Sequence, residues 1–402
     1  MFQKISLEET YKYLLISLAF LLPLTVAGAN TIIVVICFIW LVSGNYKEKF
    51  TTIFQSKLML ASVVFFLMHV LGLIWTEDIS WGLHMIHKMW YFIGLFPILY
   101  TLVRKDNIAK YISAFLLAIS ITEVVSYLVW FEIIEPFKNA TVNNPTPFMS
   151  HISYNPILAF AIYLVLHQIF FNKKLTDLVF SFYSFFAISM SINMFITGGR
   201  AGQIGFFVIL IILIFQIFEK QRVKSLLIIF TIIPSIFLFA YQGSDLFKSR
   251  VNMAIQESIS YDSINMGNGS SVGQRINYAI NSWDIYKKNL LIGVGTGDFP
   301  NEYRKINEVN TPNLPSVTNP HNMYSLILCQ LGLIGLISML SILFLQVKIS
   351  YKSPDRFIRD VGMTLPLLFL VLMLSDSYLL GHYTTLMFVF FSSFLYKDFE
   401  KS

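Results

Sequence analysis

The amino-acid sequence predicts an all-α integral membrane protein with about 12 transmembrane helices. Hydrophobic residues make up 55% of the 402 residues and charged residues only 13%, whereas about a quarter of the residues in a soluble domain are charged. Apolar runs close to the roughly 20 residues that cross a bilayer recur along the chain. Basic residues are concentrated in alternate connections between these runs, as expected for a chain threaded through a membrane.

The predicted helices follow the apolar runs in chain order. The runs lie near residues 13–28, 30–43, 58–75, 89–103, 108–130, 152–171, 176–196, 201–218, 225–241, 322–347, 361–379 and 383–396. The first run resembles a signal peptide, with Ala27-Gly28-Ala29 as its cleavage site. We interpret it instead as the first membrane span, because a second apolar run follows at once from Thr31.

The distribution of Lys and Arg predicts the orientation of the bundle. If the N-terminus is cytoplasmic, the two termini and the even-numbered connections contain 19 of the 29 basic residues. Positive charge is typical of the cytoplasmic side of a membrane protein. The polar segment 242–321 then faces the periplasm from a bacterial inner membrane. The net charge of +6 does not indicate a nucleic-acid partner, because membrane topology already explains the basic residues in the short loops.

The predicted organisation has three parts. Residues 1–241 form a transmembrane bundle with spans 1–9, residues 242–321 form a periplasmic loop with short helices, and residues 322–402 contain spans 10–12 and a cytoplasmic tail. Within the loop, apolar residues at helical spacing predict a helix near residues 274–288. The apolar face of this helix comprises Ile276, Ala279, Ile280, Trp283 and Tyr286.

Two arginines are candidates for binding an anion. Arg200 lies in Gly199-Arg200-Ala201-Gly202 at the predicted outer mouth between spans 7 and 8, where glycines allow close backbone approach and a helix begins. Arg275 lies at the start of the helix predicted in the loop. A guanidinium group can bind a phosphate through two parallel hydrogen bonds. An arginine that contacts lipid headgroups or solvent is the alternative at both positions, and Arg250 and Arg304 are weaker candidates.

His321 is the candidate catalytic base. It follows Asn319-Pro320 and directly precedes an apolar run. A neutral imidazole at the membrane surface can accept a proton from a sugar hydroxyl, because histidine titrates near neutral pH. A histidine that caps a helix or lies at the interface is the alternative.

Other kinds of site have less support in the sequence. Cys37 and Cys329 both lie in apolar runs, which favours neither a disulfide framework nor a thiolate metal site. His84 and His87 are a weak metal-binding pair. Residues 293–299 resemble a glycine-rich nucleotide-binding loop. Such a loop connects a strand to a helix, and these residues do not, so we predict a turn.

Two acidic residues fall within predicted spans. Glu123 lies inside the fifth run and Asp376 near the outer end of the eleventh. Acidic residues inside a membrane are often functional. No row of them indicates a proton path, however.

Several of these features together resemble the bacterial O-antigen ligase and polymerase superfamily. The resemblance includes the twelve-span plan and the large outer loop after the ninth span, and its motif-bearing part covers about residues 190–340. Its motifs are Trp75-Thr76-Glu77-Asp78, Gly199-Arg200-Ala201-Gly202, Arg275 ahead of Leu291-Ile292-Gly293-Val294-Gly295-Thr296-Gly297-Asp298-Phe299, and His321-Asn322-Met323-Tyr324-Ser325-Leu326 ahead of Leu331-Gly332-Leu333-Ile334-Gly335. Asn289-Leu290 departs from the family, whose members often have Asn-Pro there.

The resemblance implies an O-antigen ligase, a glycosyltransferase that moves a polysaccharide from undecaprenyl diphosphate to a hydroxyl of the lipid A–core oligosaccharide. Arg200 and Arg275 would bind the donor diphosphate, and His321 would activate the acceptor hydroxyl. The supporting residues would be Gly199, Gly202, Asn322 and Tyr324. The partners would be this donor, this acceptor and membrane lipids. Neither a cofactor nor a metal is implied, because two arginines can supply the fixed positive charge.

Other functions remain open. An O-antigen polymerase uses the same donor but extends another lipid-linked sugar chain, and a protein O-oligosaccharyltransferase transfers to a Ser or Thr side chain. The compact loop and the lack of an extra C-terminal soluble domain favour the ligase. A transporter is less well supported, because it would show internal repeats and polar residues at the bilayer midplane.

Overall fold

A computed structural model of the protein describes residues 6–138, 140–259 and 270–399. Within these ranges the chain is mostly helical, and its β-type pairing is limited to one bridge between Thr141 and Asn144. The helices are α1 (Leu7–Leu21), α2 (Val26–Val42), α3 (Tyr46–Gln55), α4 (Lys57–Gly72), α5 (Ile79–Trp90), α6 (Phe96–Leu102), α7 (Ile108–Trp130), α8 (His151–Phe171), α9 (Asp177–Ile196), α10 (Arg200–Ile217), α11 (Arg222–Gly243), α12 (Asp245–Ile259), α13 (Ser271–Tyr286), α14 (Phe299–Asn310), α15 (Met323–Lys352), α16 (Arg356–Leu372) and α17 (His382–Leu395). The predicted all-α class is confirmed for the described residues.

Seven helices in the described part of the chain are long and apolar enough to cross a membrane. They are α4, α7, α8, α9, α10, α11 and α15. The pair α2 and α3 adds an eighth if it is one span bent by 114°. Helices α1, α6, α16 and α17 also occupy predicted runs but are shorter. A multi-pass membrane protein is therefore supported, and the number of 12 spans stays a prediction.

The boundary between the first two helices lies earlier in the chain than the sequence predicts. Helix α1 ends at Leu21 and α2 begins at Val26, so Ala27-Gly28-Ala29 lies inside α2. The hydroxyl of Thr25 accepts a hydrogen bond from the Gly28 amide over 3.4 Å. Threonine is a common N-cap, and this cap moves the start of α2 ahead of the small residues.

Helix α8 lies at the centre of the bundle. Residues 154–165 of this helix are all buried, which is typical of a helix that is apolar on every side. Helix α8 packs against α9 and α10, and α15 packs against α4 and α16. The turn between α9 and α10 is therefore held against a deeply buried helix.

Helix α15 is interrupted at Gly332, where φ is +62°. The backbone of residues 290–295 occupies the break, and the Leu333 amide donates to the Leu290 carbonyl over 2.9 Å. A Cβ atom at Gly332 would lie 2.3 Å from the carbonyl carbon of Leu291, so this close approach requires glycine. Pairing of the backbone groups makes such a break tolerable in a membrane-spanning helix.

The turn predicted at residues 293–299 is confirmed for residues 293–298, and α14 begins at Phe299. The turn packs on α4 and α5. The Thr296 hydroxyl donates to a backbone carbonyl of α4 over 2.7 Å. The Asp298 carboxylate accepts hydrogen bonds from the amides of Glu77 and Asp78, each over 2.8 Å. The polar atoms of this turn thus join the polar segment to the bundle.

Helix α13 confirms the helix predicted near residues 274–288, but the predicted apolar face is wrong. Ile280 and Trp283 are 48% and 55% exposed, whereas the buried side carries Tyr278, Asn281 and Ile285. The amide of Asn281 donates to two hydroxyl groups, one in α14 and one directly after it. These bonds compensate for the cost of burying the amide. Helical spacing identified the helix, and the available partners decided which face is buried.

Candidate active site

Helix α10 begins at Arg200, and its N-cap is Gly199. A Cβ atom at Gly202 would lie 2.3 Å from the Asn155 Cβ, and one at Gly199 would lie 2.5 Å from the His151 carbonyl oxygen. The two glycines predicted as supporting residues therefore allow α10 to pack closely on α8. This packing places Arg200 at the rim of the bundle, where it is half-buried.

Asn155 of α8 holds the α9–α10 turn through its side-chain amide. It is fully buried, and its Nδ2 donates to the carbonyls of Met194 and Gly199, each over 3.3 Å. Its Oδ1 accepts from the Thr197 hydroxyl over 2.8 Å. Carbonyls in the last turn of a helix lack helical partners, and Asn155 supplies a donor to the Met194 carbonyl in the last turn of α9. Arg200 therefore extends from an ordered turn.

Arg275 is an exposed residue in the second turn of α13. The Ser270 hydroxyl accepts the Gly273 amide over 3.1 Å, and the Glu257 carboxylate accepts the Val272 amide over 3.0 Å. These caps occupy amides of the helix terminus that an anion would otherwise use. An anionic ligand would therefore be bound by the guanidinium group more than by the end of the helix.

Arg200, Arg250 and Arg275 form a cluster of positive charge. Arg200 lies within electrostatic range of the other two arginines and of Glu257. Within residues 6–138, 140–259 and 270–399, none of the three arginines forms an ion pair. Three guanidinium groups opposed by one carboxylate create a potential that attracts an anion.

Arg250 of α12 contributes to this cluster because α12 lies beside the α9–α10 turn. A Cβ atom at Gly198 would lie 3.8 Å from its Nη2. The Nε atom of Arg250 is buried, and no described residue is its hydrogen-bond partner. The structure thus places Arg250, which the sequence indicated as a weaker candidate, near the stronger candidates Arg200 and Arg275.

His321 immediately precedes α15 and has a left-handed backbone with φ of +51°. Its amide donates to the Asn319 Oδ1 over 2.9 Å. Its Nδ1 lies 3.3 Å from the Oδ1 of Asp376, and the imidazole is 41% exposed. A carboxylate at this distance orients the ring. The Nε2 atom is then the one available to a ligand.

Asn322 and Tyr324 fix the start of α15. The Asn322 Oδ1 accepts the Ser325 amide over 3.0 Å, and its Nδ2 donates to the connection after α16 over 3.1 Å. The Tyr324 hydroxyl donates to the Leu370 carbonyl of α16 over 2.6 Å. These bonds join the segment that carries His321 to the segment that carries its carboxylate partner.

Two tyrosines connect Arg275 with the pair of His321 and Asp376. The rings of Tyr278 and His321 are 5.9 Å apart between centroids. Burial raises the pKa of Tyr278, and the charge of Arg275 opposes this shift. Burial and Asp376 raise the pKa of Tyr378, and Arg275 again opposes the shift. Arg275 therefore lies within electrostatic range of two tyrosines, one of which contacts the His321 ring while the other lies near Asp376.

Asp376 and Arg250 are the site residues that the sequence indicated least. Asp376 stands out in the sequence only as an acid near the end of a span, and nothing local shows that α15 and α16 bring it to His321. The one available signal comes from the predicted topology. His321, at the start of one predicted span, and Asp376, near the end of the next, lie on the same side of the membrane. Arg250 lies in a polar segment whose folding back onto the α9–α10 turn has no local sequence signature.

The histidines predicted as a weak metal pair lie elsewhere, on α5. His84 stacks on Trp81 with 4.9 Å between ring centroids, and the nearby Asp78 carboxylate accepts the Trp81 amide over 2.9 Å as a helix cap. No group of three or more His, Cys, Asp and Glu side chains in the described ranges could hold a metal ion. The candidate site itself offers guanidinium, imidazole and carboxylate groups.

Comparison with known proteins finds a similarity in the part of the chain that carries most of this site. The O-antigen ligase family model matches residues 185–340, from within α9 to within α15. The match includes Arg200, Arg250, Arg275 and His321 and ends before Asp376. No curated protein matches the chain. Residues 185–340 of the chain are thus similar to the O-antigen ligase family.

Proposed function

We propose that the protein is an O-antigen ligase that transfers a polysaccharide from undecaprenyl diphosphate to a hydroxyl of the lipid A–core oligosaccharide. The observation that carries the proposal is the arginine cluster. It has no ion-pair partner among the described residues, and its Arg275 lies near Tyr278 and Tyr378, the neighbours of His321 and Asp376. The match of this segment to the O-antigen ligase family supports the same assignment.

Arg200, Arg250 and Arg275 bind the diphosphate of the donor. Guanidinium groups form paired, charge-assisted hydrogen bonds with phosphate oxygens. When the sugar–phosphate bond breaks, negative charge increases on the departing diphosphate. Fixed positive charge at that position stabilises the transition state.

His321 activates the acceptor. Its Nε2 takes the proton from the acceptor hydroxyl while the hydroxyl oxygen forms a bond to the anomeric carbon of the donor sugar. The bond between this carbon and the diphosphate oxygen breaks, and its electron pair leaves with the diphosphate. Asp376 holds the ring through Nδ1 and stabilises the imidazolium that results. The proton is then released to water or to the diphosphate.

We place this reaction on the periplasmic face of a bacterial inner membrane, with both termini in the cytoplasm. The excess of Lys and Arg in the even-numbered connections supports this orientation. The arginines supply the positive charge, so we propose a reaction that requires neither a cofactor nor a metal ion.

Deletion of the gene, followed by gel analysis of the lipopolysaccharide, tests the proposal. A ligase predicts core-only lipopolysaccharide and accumulation of polymer on undecaprenyl diphosphate, with recovery by the wild-type gene but not by His321→Ala. Core that carries a single repeat unit would instead identify a polymerase, which the same family also supports. Unchanged lipopolysaccharide would contradict both and direct attention to protein O-glycosylation.

A further inference from the structure

Two adjoining cavities lie on the face of the bundle opposite the candidate active site. Their volumes are about 280 and 400 Å³, and both are lined by Glu8, Arg104 and Asn107. Helix α17 begins at His382, six residues after Asp376, and ends at Leu395, close to Lys397 in the second cavity. The length of α17 therefore separates the cavities from the site.

Positive charge predominates around the two cavities. The basic lining residues are Lys12, Lys49, Arg104, Lys105 and Lys397, and the acidic ones are Glu8, Glu48 and Asp106. The ion pair between Arg104 and Glu8 spans 3.5 Å, and both side chains are more than half exposed. Such exposed pairs contribute little, so Arg104 remains available to another anion.

Lys397 is a buried cation at this surface, with 9% of its area exposed. Its Nζ donates to the carbonyls of Thr101 and Val103 over 3.3 and 3.0 Å. It forms no ion pair with a described residue. Burial, together with the charge of Arg104, lowers its pKa to about 8. An anion between the two cations would remove this repulsion.

The N-terminus of α7 faces the same space. Its N-cap, Asn107, makes no capping hydrogen bond, so the first amides of this 23-residue helix have no side-chain acceptor. Tyr111, in the first turn of α7, is fully buried and also lines the first cavity. A helix N-terminus without a side-chain cap, a tyrosine hydroxyl and two cations are together suited to a phosphate group.

We propose that these cavities bind the phosphate of an anionic phospholipid. The cavities open at the ends of membrane-spanning helices, where headgroups lie. Helix α3, which turns by 114° from α2, borders the first cavity and exposes Phe50 and Phe54. These apolar side chains can contact the acyl chains, as in a helix that lies along a membrane surface. The site is independent of the proposed transferase reaction.

Lipid retention by the full-length protein tests this inference. The protein is reconstituted in phosphatidylcholine with or without phosphatidylglycerol, and bound lipid is measured by native mass spectrometry. We expect preferential retention of phosphatidylglycerol by the wild type. The variant Arg104→Gln/Lys397→Gln should bind it about 10- to 30-fold more weakly, because each basic residue near anionic headgroups contributes about fivefold.

The matched control is Lys173→Gln/Lys174→Gln, which removes two exposed charges at the end of α8. It should retain phosphatidylglycerol like the wild type, and an equal loss in the control would overturn the proposal. Equal binding of the two lipids by the wild type would also overturn it, whether or not the cavity variant folds. A third outcome is that inorganic phosphate stabilises the wild type and phosphatidylglycerol does not. This result would assign the cavities to a soluble anion and refute the proposal of a lipid.

Discussion

At the scale of single residues, the site depends on like charges held close together. Arg200 is within electrostatic range of Arg250 and Arg275, and Glu257 provides an opposing charge. Glu257 is also engaged with the N-terminus of α13. Like charges repel unless an anion binds among them. A ligand with two phosphates would relieve this repulsion, and the positive charges would in turn bind the ligand.

Arg→Lys substitutions test the shape of the cluster apart from its charge. Arg200→Lys, Arg250→Lys or Arg275→Lys should lower the transfer rate about 10- to 100-fold, or about 1.4–3 kcal/mol, because lysine keeps the charge but loses the planar fork. The control is Arg304→Lys, since Arg304 is exposed and bonds to Asn301 in its own helix. Equal effects at all four positions in a purified transfer assay would contradict the assignment.

His321 and Asp376 should act as one unit. His321→Ala should lose about 10²- to 10⁴-fold in rate while still binding the lipid-linked donor. Asp376→Asn should lose less, and the double variant should be no slower than His321→Ala, because residues that act through each other are not additive. Additive losses would show that Asp376 acts independently, and loss of donor affinity in His321→Ala would place His321 in the diphosphate site instead.

We expect the proposed reaction to be independent of metal ions. Activity in purified membranes should survive EDTA, because guanidinium groups supply the positive charge. Activity that disappears with EDTA and returns with Mg²⁺ or Mn²⁺ would refute an arginine-only site. It would turn attention to Glu77, Asp78, His84 and His87.

At the scale of elements, close helix packing holds the site in place. The α9–α10 turn approaches α8 at Gly199 and Gly202, and Asn155 bonds to the same turn. The residues 290–295 enter the break of α15 at Gly332. Arg200 thus lies directly beside a close contact between two helices, so small shifts in this packing should move Arg200.

Gly202→Ala tests this coupling. Its Cβ would meet Asn155 at 2.3 Å, and overpacking of this kind costs about 1–3 kcal/mol. We expect a lower melting temperature in detergent and weaker donor binding through displacement of Arg200. Gly243→Ala, at a position with no atom within 4 Å of the added Cβ, is the matched control and should resemble the wild type. Wild-type stability and binding in Gly202→Ala would exclude a tight contact.

At the scale of the whole molecule, charge separates the two membrane faces. The arginine cluster and His321 lie at one end of α8, α10 and α15, and the lysine-rich connections lie at the other. A substrate that carries phosphate would therefore meet an isolated basic site on a face whose short loops contain few basic residues. The sequence predicts that this face is periplasmic.

Cysteine labelling tests the orientation. In a background with Cys37→Ala and Cys329→Ala, Ser270→Cys should react with an impermeant maleimide from the periplasmic side. Ser353→Cys, between α15 and α16, should react only after the membrane is permeabilised. The opposite labelling pattern would reverse the topology and remove the site from the periplasm.

The sequence by itself determined that the chain is helical and crosses a membrane, because backbone groups in lipid must be paired within helices or closed barrels. It also singled out Arg200, Arg275 and His321 by residue type and position. The tertiary structure alone decided that Arg250 joins the arginines, that Asp376 pairs with His321, and which face of α13 is buried. These contacts join residues far apart in the chain. They depend on how helices pack, which local periodicity does not specify.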